Sequence, residues 1–132
     1  MVRPDSVQLF RYSALTFNSH RIHYDREYCR NVEGYPGLVV HGPYTATLLV
    51  DHLMRQHPRT AVAELQFRAR RPLFETAPFE LCGRRTDGGA ELWASGSSDE
   101  IAMTMALRLA CAAAAYQKLD LCLVERREHI IG

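Results

Sequence analysis

Apolar positions change their period once along this chain, near Thr60, from a helical spacing to strict alternation. Ahead of that point the longest ordered pattern opens at Gly42-Pro43 and reaches Gln56, with proline where a helix tolerates a missing N–H. Tyr44, Ala46, Leu48, Leu49, Val50, Leu53 and Met54 cover most of its circumference, leaving Thr45, Thr47, Asp51, His52 and Arg55 as a narrow polar remainder. The pattern predicts a helix buried on nearly all sides. Beyond Thr60, Val62, Glu64, Gln66, Arg68 and Arg70 alternate with Ala61, Ala63, Leu65, Phe67 and Ala69, which predicts a strand with one buried face. Residues 79–85, 90–95 and 101–109 read as three more strands, separated by the turn residues Asp87-Gly88-Gly89 and Ser97-Ser98-Asp99. Successive hairpins imply an antiparallel sheet. Trp93 and the alternating Met103 and Met105 read as core.

The first forty residues are less periodic. Residues 7–17 admit either a short strand or a helical turn. Residues 24–32 carry acids early and Arg30 late, a short helix ended by Gly34 and Pro36, with a loop over 33–37. The apolar run Leu38-Val39-Val40 then leads into the long helix. One apolar helix followed by antiparallel strands is an α+β pattern, and its simplest solution is a sheet curled around the helix, the hot-dog arrangement. Residues 1–110 are expected to form that single domain. Residues 111–132 are expected to be a C-terminal tail, helical or partly ordered, because Cys111-Ala112-Ala113-Ala114-Ala115 favours helix.

Composition narrows the function. The 132 residues (15.0 kDa) suit one core, and 47% hydrophobic with 23% charged residues is a soluble globular balance. Sixteen basic residues against fifteen acidic ones give a net charge of +1. Arg70-Arg71, Arg84-Arg85 and Arg126-Arg127 are short pairs, not the long basic stripe that a nucleic-acid partner selects. Cys29, Cys82, Cys111 and Cys122 make no C-x-x-C pair, so they are expected to be free thiols in a reducing, cytoplasmic setting, with no metal site. Apolar runs fall short of the roughly 20 residues that span a bilayer, and the first residues lack a signal-peptide pattern, so no membrane association is expected.

Chemistry concentrates in two strings. Leu15-Thr16-Phe17-Asn18-Ser19-His20-Arg21-Ile22-His23-Tyr24-Asp25 offers imidazoles among polar groups, and Val39-Val40-His41-Gly42-Pro43 offers backbone N–H donors at a helix start. Together they suit chemistry at a thioester. Asp25, two residues from His23, is a further carboxylate that an extended backbone would place on the same face. Each residue also has a plainer role open to it: Asn18 capping a turn, His41 packing at the helix entry, Gly42 allowing a tight bend, the arginines solvated on a strand.

These strings resemble the MaoC-like hydratase and dehydratase group of the hot-dog superfamily over roughly residues 8–109. The group's motif runs aspartate, any residue, asparagine, proline, aliphatic residue, histidine. Laid on Asn18-Ser19-His20-Arg21-Ile22-His23, it puts Ile22 and His23 on the last two positions, Asn18 where an aspartate is expected and His20 where an asparagine is expected. The strings 10–25, 34–43 and Arg71-Pro72-Leu73-Phe74 look like one branch, the itaconyl-CoA and mesaconyl-CoA hydratase-like proteins. The resemblance implies a hydro-lyase acting on an enoyl thioester, with coenzyme A or pantetheine present only as part of the substrate. It implies His23 as the proton-moving group, Asn18 binding water or carbonyl, and the Gly42 N–H stabilising the oxyanion. His20, His41, Arg68, Arg70 and Arg71 are the expected substrate-binding residues. Because many members of the branch carry two hot-dog units, a homodimer or a heteromer with a second hot-dog chain is expected. A hot-dog thioesterase and a non-catalytic acyl-binding subunit are the alternatives.

Overall fold

Asp5 starts the first helix, and it is the signal that settles residues 7–17. In the computed structural model, which describes residues 1–110, the Asp5 carboxylate accepts from the N–H groups of Val7 and Gln8 at 2.9 Å and opens α1 (Ser6–Thr16). Phe17, in the left-handed region at φ 54°, closes it. Only Leu9 and Ser13 of α1 are buried, while Val7, Phe10 and Leu15 are exposed. Apolar residues on the solvent side are what blur the helical period in the sequence. The tail expected over 111–132 lies outside the described residues.

A 3-10 turn, Arg21–His23, and α2 (Arg26–Asn31) follow. Asp25 caps α2: its carboxylate accepts from the Tyr28 N–H at 2.9 Å and from Arg21 at 2.8 Å. Those bonds hold its pKa below the ordinary carboxylate value, and they remove it from the chemistry considered for it at His23. The α2 helix starts two residues later than its charge pattern suggests, because Asp25 is a better cap than Tyr24. The loop expected over 33–37 holds, with Gly34 at φ 71°.

The long helix α3 (Gly42–Gln56) has the expected ends. It is not buried all round: Thr45, Ala46, Leu49 and Leu53 form the buried stripe, while Tyr44, Leu48, Val50 and Met54 are half-buried. The reason lies in the sheet. The strands β1 (Ala61–Ala69), β2 (Glu80–Thr86), β3 (Gly89–Ser95) and β4 (Ile101–Ala110) form one antiparallel sheet in the order β1-β4-β3-β2, with β1 and β2 at its edges among the described residues. These four strands pack against one side of α3 and leave its other side partly exposed.

Leu92, Ala94, Met103, Met105 and Leu107 face α3 and form the core with Leu49, Leu53, Leu9 and Phe79. Trp93 departs from its expected place in that core. It pairs across the ladders with Cys82 and Thr104, on the outer face, and is half-buried. The strand β1 also departs from expectation, since all of it beyond Val62 is exposed and Leu65 and Phe67 keep 41% and 46% of their surface. Among the described residues it is the edge strand, and the face that alternation marks as buried is not covered by α3.

Candidate active site

The run Leu38-Val39-Val40 is an extended strap between the 3-10 turn and residues 73–75. The Val39 N–H donates to the Ile22 carbonyl at 2.9 Å, the Val40 N–H to Leu73 at 2.8 Å and the Glu75 N–H to Leu38 at 2.9 Å. Glu75 secures the strap from outside: its carboxylate, nearly buried, binds Arg26 at 2.6 Å and reaches the Leu38 N–H. The hydrogen bond from the Arg26 guanidinium keeps the Glu75 pKa below the ordinary carboxylate value despite burial. The Cys29 thiol donates to the Ile22 carbonyl at 3.1 Å. A three-residue turn is thereby pinned on two sides.

His23 sits on this pinned turn, 7% exposed, with Nδ1 2.8 Å from the Val39 carbonyl oxygen. A carbonyl only accepts, so Nδ1 carries the proton and Nε2 is left as the lone-pair nitrogen. Burial lowers the His23 pKa from its ordinary 6.5 against the opposing pull of the Val39 bond, with His20 adding to the fall. The ring is therefore uncharged at neutral pH and able to accept a proton. His41 stacks on it, with centroids 3.7 Å apart and planes 16° from parallel. Its Nε2 is 2.8 Å from Ser13 Oγ, and its Nδ1 is buried without a partner among the described residues. Burial first, and His23 second, push the His41 pKa down to about 4. Tyr12 packs its ring against the edge of His41 at 4.8 Å.

His23 opens onto a cleft of about 320 Å³. One wall is His23, Val39, Val40, Gly42 and Thr45, and the other is Ala69, Arg70, Arg71, Pro72, Leu73, Ala102 and Met103. Gly42 begins α3 here, where Pro43 contributes no N–H and the helix dipole presents partial positive charge. A Cβ on Gly42 would stand 3.8 Å from Met103 Cε, an ordinary contact, and its φ is not in the left-handed region. Neither fold nor bend requires glycine. What the missing Cβ leaves is room in the cleft beside the N–H.

The expected site residues therefore separate into groups. His23, Gly42, Arg70 and Arg71 line one cleft, with Arg71 paired to Glu100 at 3.0 Å. His41 lies behind His23 and not on the cleft surface. His20 is exposed, its ring edge-on to His23 at 5.8 Å. Asn18 lines a different hollow with Phe10 and Phe17, and its side-chain oxygen accepts from the His20 N–H at 3.0 Å, the turn-capping geometry. Arg68 stands on the outer face of β1, opposite Thr104. The residues not singled out from sequence are Ser13, Tyr12 and the Val39 carbonyl. The first two come from α1, over residues where the sequence pattern left strand and helix both open and the Asp5 cap was the usable signal, and a backbone carbonyl leaves no mark in sequence.

The open sheet packed on one helix, with a histidine-lined cleft at the helix start, defines a hot-dog unit, and solved structures agree. The (R)-hydratase from A. caviae involved in PHA biosynthesis superposes with a TM-score of 0.68 at 19% identity, over 82% of this chain and 88% of that one. The ChsH1-ChsH2 complex of Mycobacterium tuberculosis gives 0.66 at 14% identity, over 83% and 90%. Residues 1–75 match the family model for hydroxyacyl-thioester dehydratase type 2, and the chain belongs to that family. It is 48% identical over 108 residues to the mesaconyl-C(4)-CoA hydratase of Chloroflexus aurantiacus, covering 82% of this chain and 38% of the relative. The chain spans about a third of the length of the curated relatives it matches.

Proposed function

We propose that the chain is a hydro-lyase unit that adds or removes water across the 2,3 double bond of an enoyl thioester. The observation that carries this is the His23 ring, fixed through Nδ1 by the Val39 carbonyl so that Nε2 is its basic nitrogen, lining the same cleft as Gly42 at the start of α3. In hydration, His23 Nε2 takes a proton from water as the water oxygen bonds to C3. The double-bond electrons move toward C2 and the thioester oxygen, whose growing negative charge lies against the start of α3. The imidazolium then returns its proton to C2. Dehydration runs the same steps in reverse. Within this chain His23 performs both transfers, because Asn18 is committed to the His20 N–H and has no titratable proton near neutrality.

Among the described residues lining the cleft, His23 is the group able to exchange a proton near neutrality. The proposed substrate is a thioester of coenzyme A or pantetheine, with no additional cofactor. A second hot-dog unit is part of the proposal, as a second copy or a different chain, since β1 leaves its ladder edge and the apolar Leu65 and Phe67 open. We place the protein in the cytoplasm, a reading supported by Cys29 and Cys82 forming no disulfide among the described residues. No helix among the described residues is long and apolar enough to cross a membrane.

The test is a panel of enoyl thioesters followed by loss of the conjugated chromophore. Hydration of at least one member by the folded protein is expected. Absence of turnover across the panel, with release of free thiol instead, would move the assignment to a thioesterase.

A further inference from the structure

One hydrogen bond does not fix an imidazole. His23 is tied through Nδ1 to the Val39 carbonyl at 2.8 Å, and about that contact the ring can still rock, carrying Nε2 out of line with a reacting carbon. His41 limits this freedom from behind. Its ring lies 3.7 Å from that of His23 and 16° from parallel, so His23 rocking toward it meets a flat, close-packed surface.

The His41 ring is itself held from several directions. His41 is the N-cap residue of α3, so the helix start sets its backbone. Ser13 Oγ, from α1, meets its Nε2 at 2.8 Å, and Tyr12 packs on its edge at 4.8 Å while resting against Tyr44 at 5.0 Å. Leu9 and Ser13 are the buried residues of α1, so one of the two points at which that helix enters the protein is a hydroxyl bonded to His41.

Stability is a poor account of this arrangement. His41 is 1% exposed, and no tautomer gives its Nδ1 a partner among the described residues. A buried polar atom left unpaired costs more than a neighbouring hydrogen bond returns, and an apolar side chain would occupy the same space without that loss. An apolar chain would lack a flat ring whose rotation is locked by a bond to another helix.

We propose that His41 and Ser13 are positioning residues for the reaction at His23: Ser13 locks the His41 ring, and the locked ring holds His23 in the single orientation that both proton transfers use. This rests on the hydratase reading, in which one imidazole serves C3 and C2 in turn and so tolerates little rocking. Neither side chain lines the cleft, so their effect reaches the substrate only through His23.

Ser13→Ala removes one oxygen atom and is the mild variant. It should lower kcat about tenfold, with KM within about twofold of wild type and an unchanged circular dichroism spectrum. His41→Ala should lower kcat about 100-fold, again with KM little changed. Ser13→Thr keeps the hydroxyl, and because Ser13 borders the open hollow of Phe10 and Phe17 the added methyl has room. Its kcat should return to within about twofold of wild type. Nitrogen NMR of the imidazoles supplies a readout that needs no substrate. Wild-type His23 should show separate shifts for protonated Nδ1 and unprotonated Nε2, and Ser13→Ala should draw them together as the tautomers mix. A Ser13→Ala protein with wild-type kcat, or with the His23 shifts unmoved, overturns the proposal, as does a loss that Ser13→Thr does not restore. Failure of the hydratase reading has a different signature: the wild-type protein turns over no enoyl thioester, and the His23 shifts alone then decide, converging in Ser13→Ala if the hold exists and staying apart if it does not.

Discussion

The two walls of the His23 cleft are built to different standards. The wall of His23, Val39, Val40 and Gly42 is tied by main-chain bonds to Ile22 and Leu73, by Glu75 and Arg26 from outside and by the stacked His41 from behind. The opposite wall ends in β1, exposed along most of its length on the open edge of the sheet. Proton transfer needs an imidazole held in one orientation, and the first wall supplies it within one chain. Binding an extended thioester needs enclosure, and the second wall, from Ala69 to Leu73 with Ala102 and Met103, adjoins a strand whose Leu65 and Phe67 are exposed among the described residues.

Removing the centre of the ordered wall should have the largest effect. His23→Ala is expected to lower kcat by about 1,000-fold while thioester binding is retained, since general acid–base catalysis contributes roughly 100- to 10,000-fold. A loss of binding in step with kcat would mean that His23 only shapes the wall.

Acid should loosen the same wall. Unfolded histidine titrates near 6.5 and folded His41 at about 4, so between those values the unfolded chain binds the extra proton. Stability therefore rises with pH through this window and is lost as pH falls. From pH 7 to about pH 5 the expected loss is about 2 kcal/mol, read from urea midpoints, with His23 acting in the same direction. His41→Gln should remove most of that difference; an unchanged slope would place the acid sensitivity elsewhere.

At the junction of the walls, Gly42→Ala should leave the fold intact and reduce kcat by about 10- to 100-fold by displacing the substrate from the helix start. Circular dichroism and turnover separate the two. The smallest intrinsic effect belongs to the open wall. Leu65→Ser with Phe67→Ser should change single-chain stability by about 0.5 kcal/mol or less, because both side chains are half-exposed, yet reduce the native mass of the assembly. An unchanged mass would show that the second unit docks elsewhere.

The site was partly legible in the sequence. His23 and Gly42 stand out because their local strings carry the chemistry, and both reach the cleft. Asn18 and His20 share the first string yet do not line the cleft, since closeness in sequence to His23 on an irregular segment does not fix side-chain direction. Asp25 has a cap signature as readable as its carboxylate chemistry, and the cap prevails because two donors reach it. His41 carries the imidazole of a binding residue, but its neighbours Ser13 and Tyr12 arrive from a helix 28 positions earlier in the case of Ser13. No local pattern announces that contact.

The sequence by itself determined the period of each main element: the helix from Gly42, the four alternating strands and the turns between them, because side-chain direction follows backbone repeat. Tertiary structure alone decided which alternating faces are covered. Strand β4, inside the sheet and under α3, buries Met103, Met105 and Leu107, while β1 repeats the same alternation at an edge and stays exposed. It also decided that Trp93 faces outward and that two histidines eighteen positions apart in sequence stack at 3.7 Å. Such outcomes depend on strand order and on which helix lies across which strands, and a one-dimensional pattern holds neither.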